Sequence, residues 1–288
     1  MVTSPNRSFD LGGLRMHYRD EGSGDPVVML HGNPSWSYYY RGLIDALKGS
    51  CRCIAPDHVG MGLSDKPGDD RYDYTLSRRV QDLEALLENL GVRERVTLVL
   101  HDWGGMIGMA WAARRPEKVS RLVILNTAAF LLPAGKRLPW QLKLGRDSAL
   151  GALLIRGCNA FARGAADLGT VHPMAPETRA AYLAPYGSWA ERIATLRFVQ
   201  DIPLVPEDRA YALAKETQDR LSLFVGKPML VCWGMKDFVF DADFLAGWET
   251  RFPKAEVHRF PDAGHYVLED EGPAIAARVK DFLARHPA

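Results

Sequence analysis

Residues 96–100 constrain this chain more than any other segment. They form an apolar run, too brief for a helix and typical of a strand buried on both faces. Trp103–Arg114 follows almost at once, a helical stretch rich in Gly and Ala that stops just before Pro116. Between the two stands Leu100-His101-Asp102-Trp103-Gly104-Gly105. A buried strand that turns straight into a helix belongs to a β-α-β unit, and such units build parallel sheets.

The rest of the chain repeats the alternation on either side of one interruption. Residues 14–19, 26–30, 52–55 and 121–125 read as strands bounded by Gly, Asp and Pro. Residues 36–47 can form a helix, and Thr75 caps a second, in which Leu76, Val80, Leu83, Leu87 and Leu90 share a face before Gly91 ends it. From about Ala128 to Val225 come apolar and aromatic segments broken by Gly and Pro, helical where readable and without a clear strand. Alternation resumes with strand 228–233, helix 242–250, strand 256–259 and a last helix from Pro273 that aligns Ile275, Val279, Phe282 and Leu283. The pattern predicts a core of residues 1–127 and 226–288, with a helical cap over 128–225 inserted after the strand at 121–125, counted as the sixth of the sheet.

Composition narrows the function classes. With 36 Lys+Arg against 35 Asp+Glu and no basic run interleaved with aromatics, no nucleic-acid partner is expected. Residues 1–10 are polar and lack the apolar core of a signal peptide, and no membrane span is expected. Of the 4 Cys, Cys51 and Cys53 lie two apart on one strand face and are poorly placed to pair, so reduced buried thiols in a cytoplasmic protein are expected. Neither a metal nor a cofactor is expected, because no ligand cluster is visible and the Gly60-Met61-Gly62 turn near Asp57 reads as loop-fixing.

The strand-to-helix junction carries the chemistry. It is the context of a nucleophile elbow, with Asp102 in place of the usual Ser. A carboxylate is ionised at neutral pH, so it attacks without a general base and leaves a covalent ester. The alternative is an Asp that merely caps a helix. His265, in the loop after the last strand, follows the nucleophile in the order this fold requires. Asp237 is the acid candidate, just past the preceding strand, while Asp241 and Asp243 read as helix caps and Asn126 carries no charge. Asn33, in His31-Gly32-Asn33-Pro34, and Trp103 offer N–H groups that can hold an anion beside Asp102; a turn Asn and a packed Trp are the bland alternative.

These motifs resemble the α/β-hydrolases of the haloalkane dehalogenase type over nearly the whole chain. The resemblance implies an α/β-hydrolase fold with a mostly parallel eight-stranded sheet and helices on both faces. It also implies a nucleophilic Asp102, a general-base His265 supported by Asp237, and leaving-group stabilisation by Asn33 and Trp103. A narrower set, Trp36-Ser37-Tyr38-Tyr39-Tyr40-Arg41, Asn126-Thr127-Ala128-Ala129-Phe130 and Pro139-Trp140-Gln141 among them, resembles the bacterial β-lactone decarboxylases of long-chain olefin biosynthesis. That likeness implies conversion of a cis-3,4-dialkyl-oxetan-2-one to a cis-alkene and CO2, by attack on either the oxygen-bearing ring carbon or the carbonyl. It further implies a long-chain apolar substrate and partnership with the β-lactone synthetase and reductase of the same pathway. Phe130, Trp140, Phe161, Trp189, Phe198 and Val199 are the expected pocket lining. The alternatives are a haloalkane dehalogenase, an epoxide hydrolase using Tyr182, Tyr186 or Tyr211 as acids, and a non-catalytic receptor on the same scaffold.

Overall fold

A computed structural model describes residues 7–288, so most of the polar start lies outside the described residues. Eight strands, β1 (Arg7–Asp10), β2 (Arg15–Glu21), β3 (Pro26–Leu30), β4 (Arg52–Pro56), β5 (Val96–Asp102), β6 (Val119–Thr127), β7 (Met229–Gly234) and β8 (Glu256–Phe260), form one sheet. Their order is β1-β2-β4-β3-β5-β6-β7-β8. β1 and β2 run antiparallel to their neighbours and every other pairing is parallel. β1 is the strand that sequence patterning missed: four largely exposed residues at a sheet edge carry no apolar alternation.

The central strands alternate their side chains between two cores, as period-two geometry demands. Val28 and Leu30 join α2 (Leu76–Asn89) and α3 (Trp103–Arg114) on one face, whereas Val27 and Met29 pack with α1 (Arg41–Leu47) on the other. Residues 36–47 do not form one helix: Ser37–Tyr40 is a 3₁₀ turn and α1 begins at Arg41.

Between β6 and β7 the regular elements are all helical. They comprise α4 (Trp140–Asp147), α5 (Ala149–Cys158), α6 (Ala160–Leu168), α7 (Pro176–Leu183), α8 (Ile193–Gln200) and α9 (Tyr211–Asp219). α9 packs back on α3, so the end of this insertion shares the core beneath the sheet. α10 (Ala242–Arg251), α11 (Val267–Asp270) and α12 (Gly272–Arg285) complete the chain. The sheet order brings the carboxyl ends of β3, β5, β6, β7 and β8 together at one edge, the place where parallel sheets hold their sites.

Candidate active site

Asp102 ends β5 with φ 50° and ψ −126°, a left-handed backbone that a side chain bears only under constraint. The constraint is visible on both sides of the turn. Thr127 Oγ1 donates to the Asp102 carbonyl. A Cβ on Gly104 would lie 1.9 Å from the Leu30 carbonyl oxygen, so only Gly lets α3 start this close to β3. The elbow therefore lifts the Asp102 carboxylate clear of the sheet.

Asp102 is buried, and its Oδ1 accepts the backbone N–H of Asn33 at 2.6 Å. Burial pushes its pKa above the ordinary carboxylate value, while the neighbouring His265 and the backbone N–H groups of Trp103 and Asn33 oppose the rise. Gly32 is obligatory next to it, because a Cβ there would sit 1.8 Å from Asp102 Oδ1.

His265 enters from the loop after β8. Its Nδ1 lies 2.8 Å from Asp237 Oδ2 and its Nε2 lies 3.7 Å from Asp102 Oδ2. Burial disfavours the imidazolium, but the charge and hydrogen bond of Asp237, with the charge of Asp102, outweigh it and raise the pKa above 6.5. Asp237 is held in turn by the backbone N–H groups of Val239 and Phe240, at 2.7 and 3.1 Å on Oδ1. Asp241 caps α10, its Oδ1 accepting the Asp243 N–H at 3.1 Å.

Two supports escaped sequence reasoning. Asn126, set aside there because it bears no charge, donates from Nδ2 to Asp237 Oδ2 and to the Gly234 carbonyl, both at 3.0 Å. Its Oδ1 accepts the Gly234 N–H at 2.8 Å. An amide directly after the buried apolar run 122–125 was the available signal, since such a group must find partners. His101, wholly buried, places Nε2 2.9 Å from the His265 carbonyl and its ring 4.7 Å from the His265 ring.

Above Asp102 opens a cavity of about 390 Å³ reached by Asn33, Trp103 and His265. Phe130, Trp140, Phe161 and Val199 line it, with Leu131, Leu132, Leu168, Phe238 and Phe240. Two expected wall residues lie elsewhere. Trp189 is 48% exposed beneath the Arg156 guanidinium, and Phe198 is fully buried behind the wall, against Trp103. The tyrosines that an epoxide hydrolase would need as acids are absent from the lining: the Tyr182 hydroxyl is bound by Glu269 and that of Tyr186 by Met61 Sδ.

Residues 25–272 match the model of the α/β-hydrolase fold family. The cis-3-alkyl-4-alkyloxetan-2-one decarboxylase of Shewanella oneidensis is 56% identical over 94% of this chain and 86% of its own length. The chain is an α/β-hydrolase of the haloalkane dehalogenase-like kind. A haloalkane dehalogenase of Mycobacterium marinum is 36% identical to this α/β-hydrolase over 92% of the chain and 88% of that protein. The crystal structure of a haloalkane dehalogenase from Agrobacterium tumefaciens C58 superposes with a TM-score of 0.87 at 26% identity, covering 97% of this chain and 96% of that one. The hydrolase has no helix long and apolar enough to cross a membrane among its described residues. Nor do those residues hold a disulfide, although Cys158 is exposed rather than buried like Cys51, Cys53 and Cys232.

Proposed function

We propose that this chain is a β-lactone decarboxylase that converts a cis-3,4-dialkyl-oxetan-2-one to a cis-alkene and CO2. The observation that carries the reading is the 56% identity to a relative of that name, spread over 94% of the chain. The apolar cavity above Asp102 supports it, because two alkyl chains need such a wall.

Asp102 attacks the ring carbon that bears oxygen. The C–O bond breaks and its electron pair leaves as a carboxylate, which Asn33 and Trp103 hold. Attack at the carbonyl would instead release an alkoxide and leave no free carboxylate to lose as CO2. In the second step the bond to the carboxylate carbon breaks and its pair forms the alkene. The C–O bond to Asp102 breaks with it and restores the nucleophile. Inversion in the first step and anti departure in the second deliver a cis-alkene from a cis-lactone. No water is consumed. In its protonated form His265, with Nε2 3.7 Å from Asp102 Oδ2, stabilises the carboxylate as it returns.

A long-chain cis-β-lactone should therefore give alkene and CO2, with no oxygen from labelled water entering the Asp102 carboxylate. Each added methylene should raise kcat/KM about fourfold, from about 0.8 kcal/mol per buried CH2, until the cavity is full. A β-hydroxy acid as the product would overturn the reading.

The second reading is a haloalkane dehalogenase, favoured by the 36% identity to one and by a His–Asp pair suited to activating water against the ester. Bromide released from 1-bromohexane, with no alkene from any lactone, would establish it instead. Under the decarboxylase reading the lactone is nearly insoluble and reactive. We therefore expect cytoplasmic association with the β-lactone synthetase that makes it, joined by the pathway's reductase. Elution of the protein alone and small after co-expression with the synthetase would refute the association.

A further inference from the structure

Three residues of the α8 turn region meet the site from behind. Thr195, Phe198 and Asp201 recur at intervals of three and so share one side of the helix and its cap. The Thr195 carbonyl accepts the Nδ2 of Asn33 at 3.0 Å. The Phe198 ring lies 5.4 Å from that of Trp103, tilted by 57°. Asp201 Oδ2 accepts the Leu76 N–H at 2.6 Å, at the start of α2, and pairs with Arg79 Nη1 at 3.1 Å.

Arg79 closes the set. Its guanidinium carbon stands 3.6 Å over the Phe198 ring, so the ring that meets the Trp103 indole is itself held by a core cation. Arg79 is 1% exposed, and its Nε and Nη2 have no hydrogen-bond partner. Burying a cation so sparsely bonded costs stability, and an apolar side chain of similar volume would fill the space at least as well. Its planar charged face on Phe198 is what an apolar replacement would not supply.

We propose that this side of α8 is a positioning element for both leaving-group donors, anchored to the core through Arg79. The Thr195 carbonyl sets the rotation of the Asn33 amide, whose Oδ1 is unpartnered, and leaves the second Nδ2 proton for the anion. Phe198 sets the tilt of the Trp103 indole, and the Arg79–Asp201 pair fixes Phe198. The inference rests on Asn33 and Trp103 being the donors, as in the proposed function.

Bromide serves as the anion probe, its dissociation constant read by titration beside kcat and KM for the lactone. Phe198→Leu removes the clamped ring. Arg79→Lys keeps the charge and the Asp201 pairing but loses the planar stack. Each should weaken bromide binding about tenfold and lower kcat tenfold or more, with KM changed less than twofold, because the donors act most on the developing anion. Arg192→Ala is the control for simple cap destabilisation, since its guanidinium ties together the carbonyls of Arg156, Gly157, Tyr186 and Gly187 and lines no part of the cavity. It should lower the melting temperature and leave bromide affinity as in the wild type.

Wild-type bromide affinity and kcat in folded Phe198→Leu and Arg79→Lys would overturn the positioning role. So would failure of both to fold, which would make the clamp purely structural. Asn33→Ala separates the two levels. If it too leaves bromide affinity intact, the donor assignment itself is wrong. If it weakens bromide while the α8 variants do not, only the present inference falls.

Discussion

Asn126 and His265 meet on one atom: Asp237 Oδ2 accepts the Asn126 amide at 3.0 Å and lies 2.8 Å from His265 Nδ1. The uncharged residue at the end of β6 thus orients the charged one beyond β7. Asn126 also brackets Gly234 through both its N–H and its carbonyl, so a single side chain sets the height of the whole acid loop. Asn126→Ala should cost about 1–3 kcal/mol of stability through the buried groups it orphans. It should also lower kcat by roughly tenfold, because Asp237 loses a restraint. Urea melts read beside steady-state rates check both effects, and unchanged rates would confine Asn126 to a structural role.

Asp102→Asn tests the nucleophile. The amide fits the same elbow but attacks poorly, so turnover should fall on the order of 10³-fold or more while the fold persists. Mass spectrometry of the wild type trapped during turnover should show the adduct on Asp102. Near-normal turnover in the Asn variant, with deamidation excluded by mass, would remove Asp102 from the mechanism.

Asp237→Asn and Asp241→Asn separate the partner of His265 from a helix cap. The first deprives His265 of the carboxylate 2.8 Å from Nδ1 and should reduce activity by orders of magnitude. The second weakens the cap of α10 and should cost about 1 kcal/mol or less in stability, with activity intact. Equal activities in the two variants would place the acid elsewhere.

The raised pKa of His265 sets a pH dependence of stability. In the unfolded chain His titrates near 6.5, whereas in the folded protein Asp237 and Asp102 hold the proton to higher pH against the cost of burial. The stabilisation is full below 6.5, where both states are protonated, and is lost as pH rises through the folded value. Denaturation midpoints taken from about pH 6 upward should fall in the wild type, and His265→Gln should remove that part of the slope. A slope identical in the variant would mean that His265 carries no raised pKa.

The fold was legible because its signals are local. The β5 run, the glycines after Asp102, the Thr75 cap and the α12 face each reflect residues close in sequence, and together they specify a parallel sheet with an all-helical interruption. The exposed edge strand β1 carried no such signal, since pairing with β2 and not side-chain burial makes it a strand.

The candidate site was legible in part. Asp102, His265, Asp237, Asn33 and Trp103 could be named because each follows a strand at the edge where parallel sheets gather their loops. What sequence by itself determined here is the identity and order of those side chains, together with the elbow that only the glycines permit. Tertiary structure alone decided that Asn126 serves Asp237, and that Phe198 is clamped under Arg79 instead of facing the cavity. It likewise decided that Trp189 lies outside. Each of those depends on which face of an apolar helix or strand end meets a partner many residues distant. Hydrophobicity tells that a side chain is buried; only the packed neighbours tell against what.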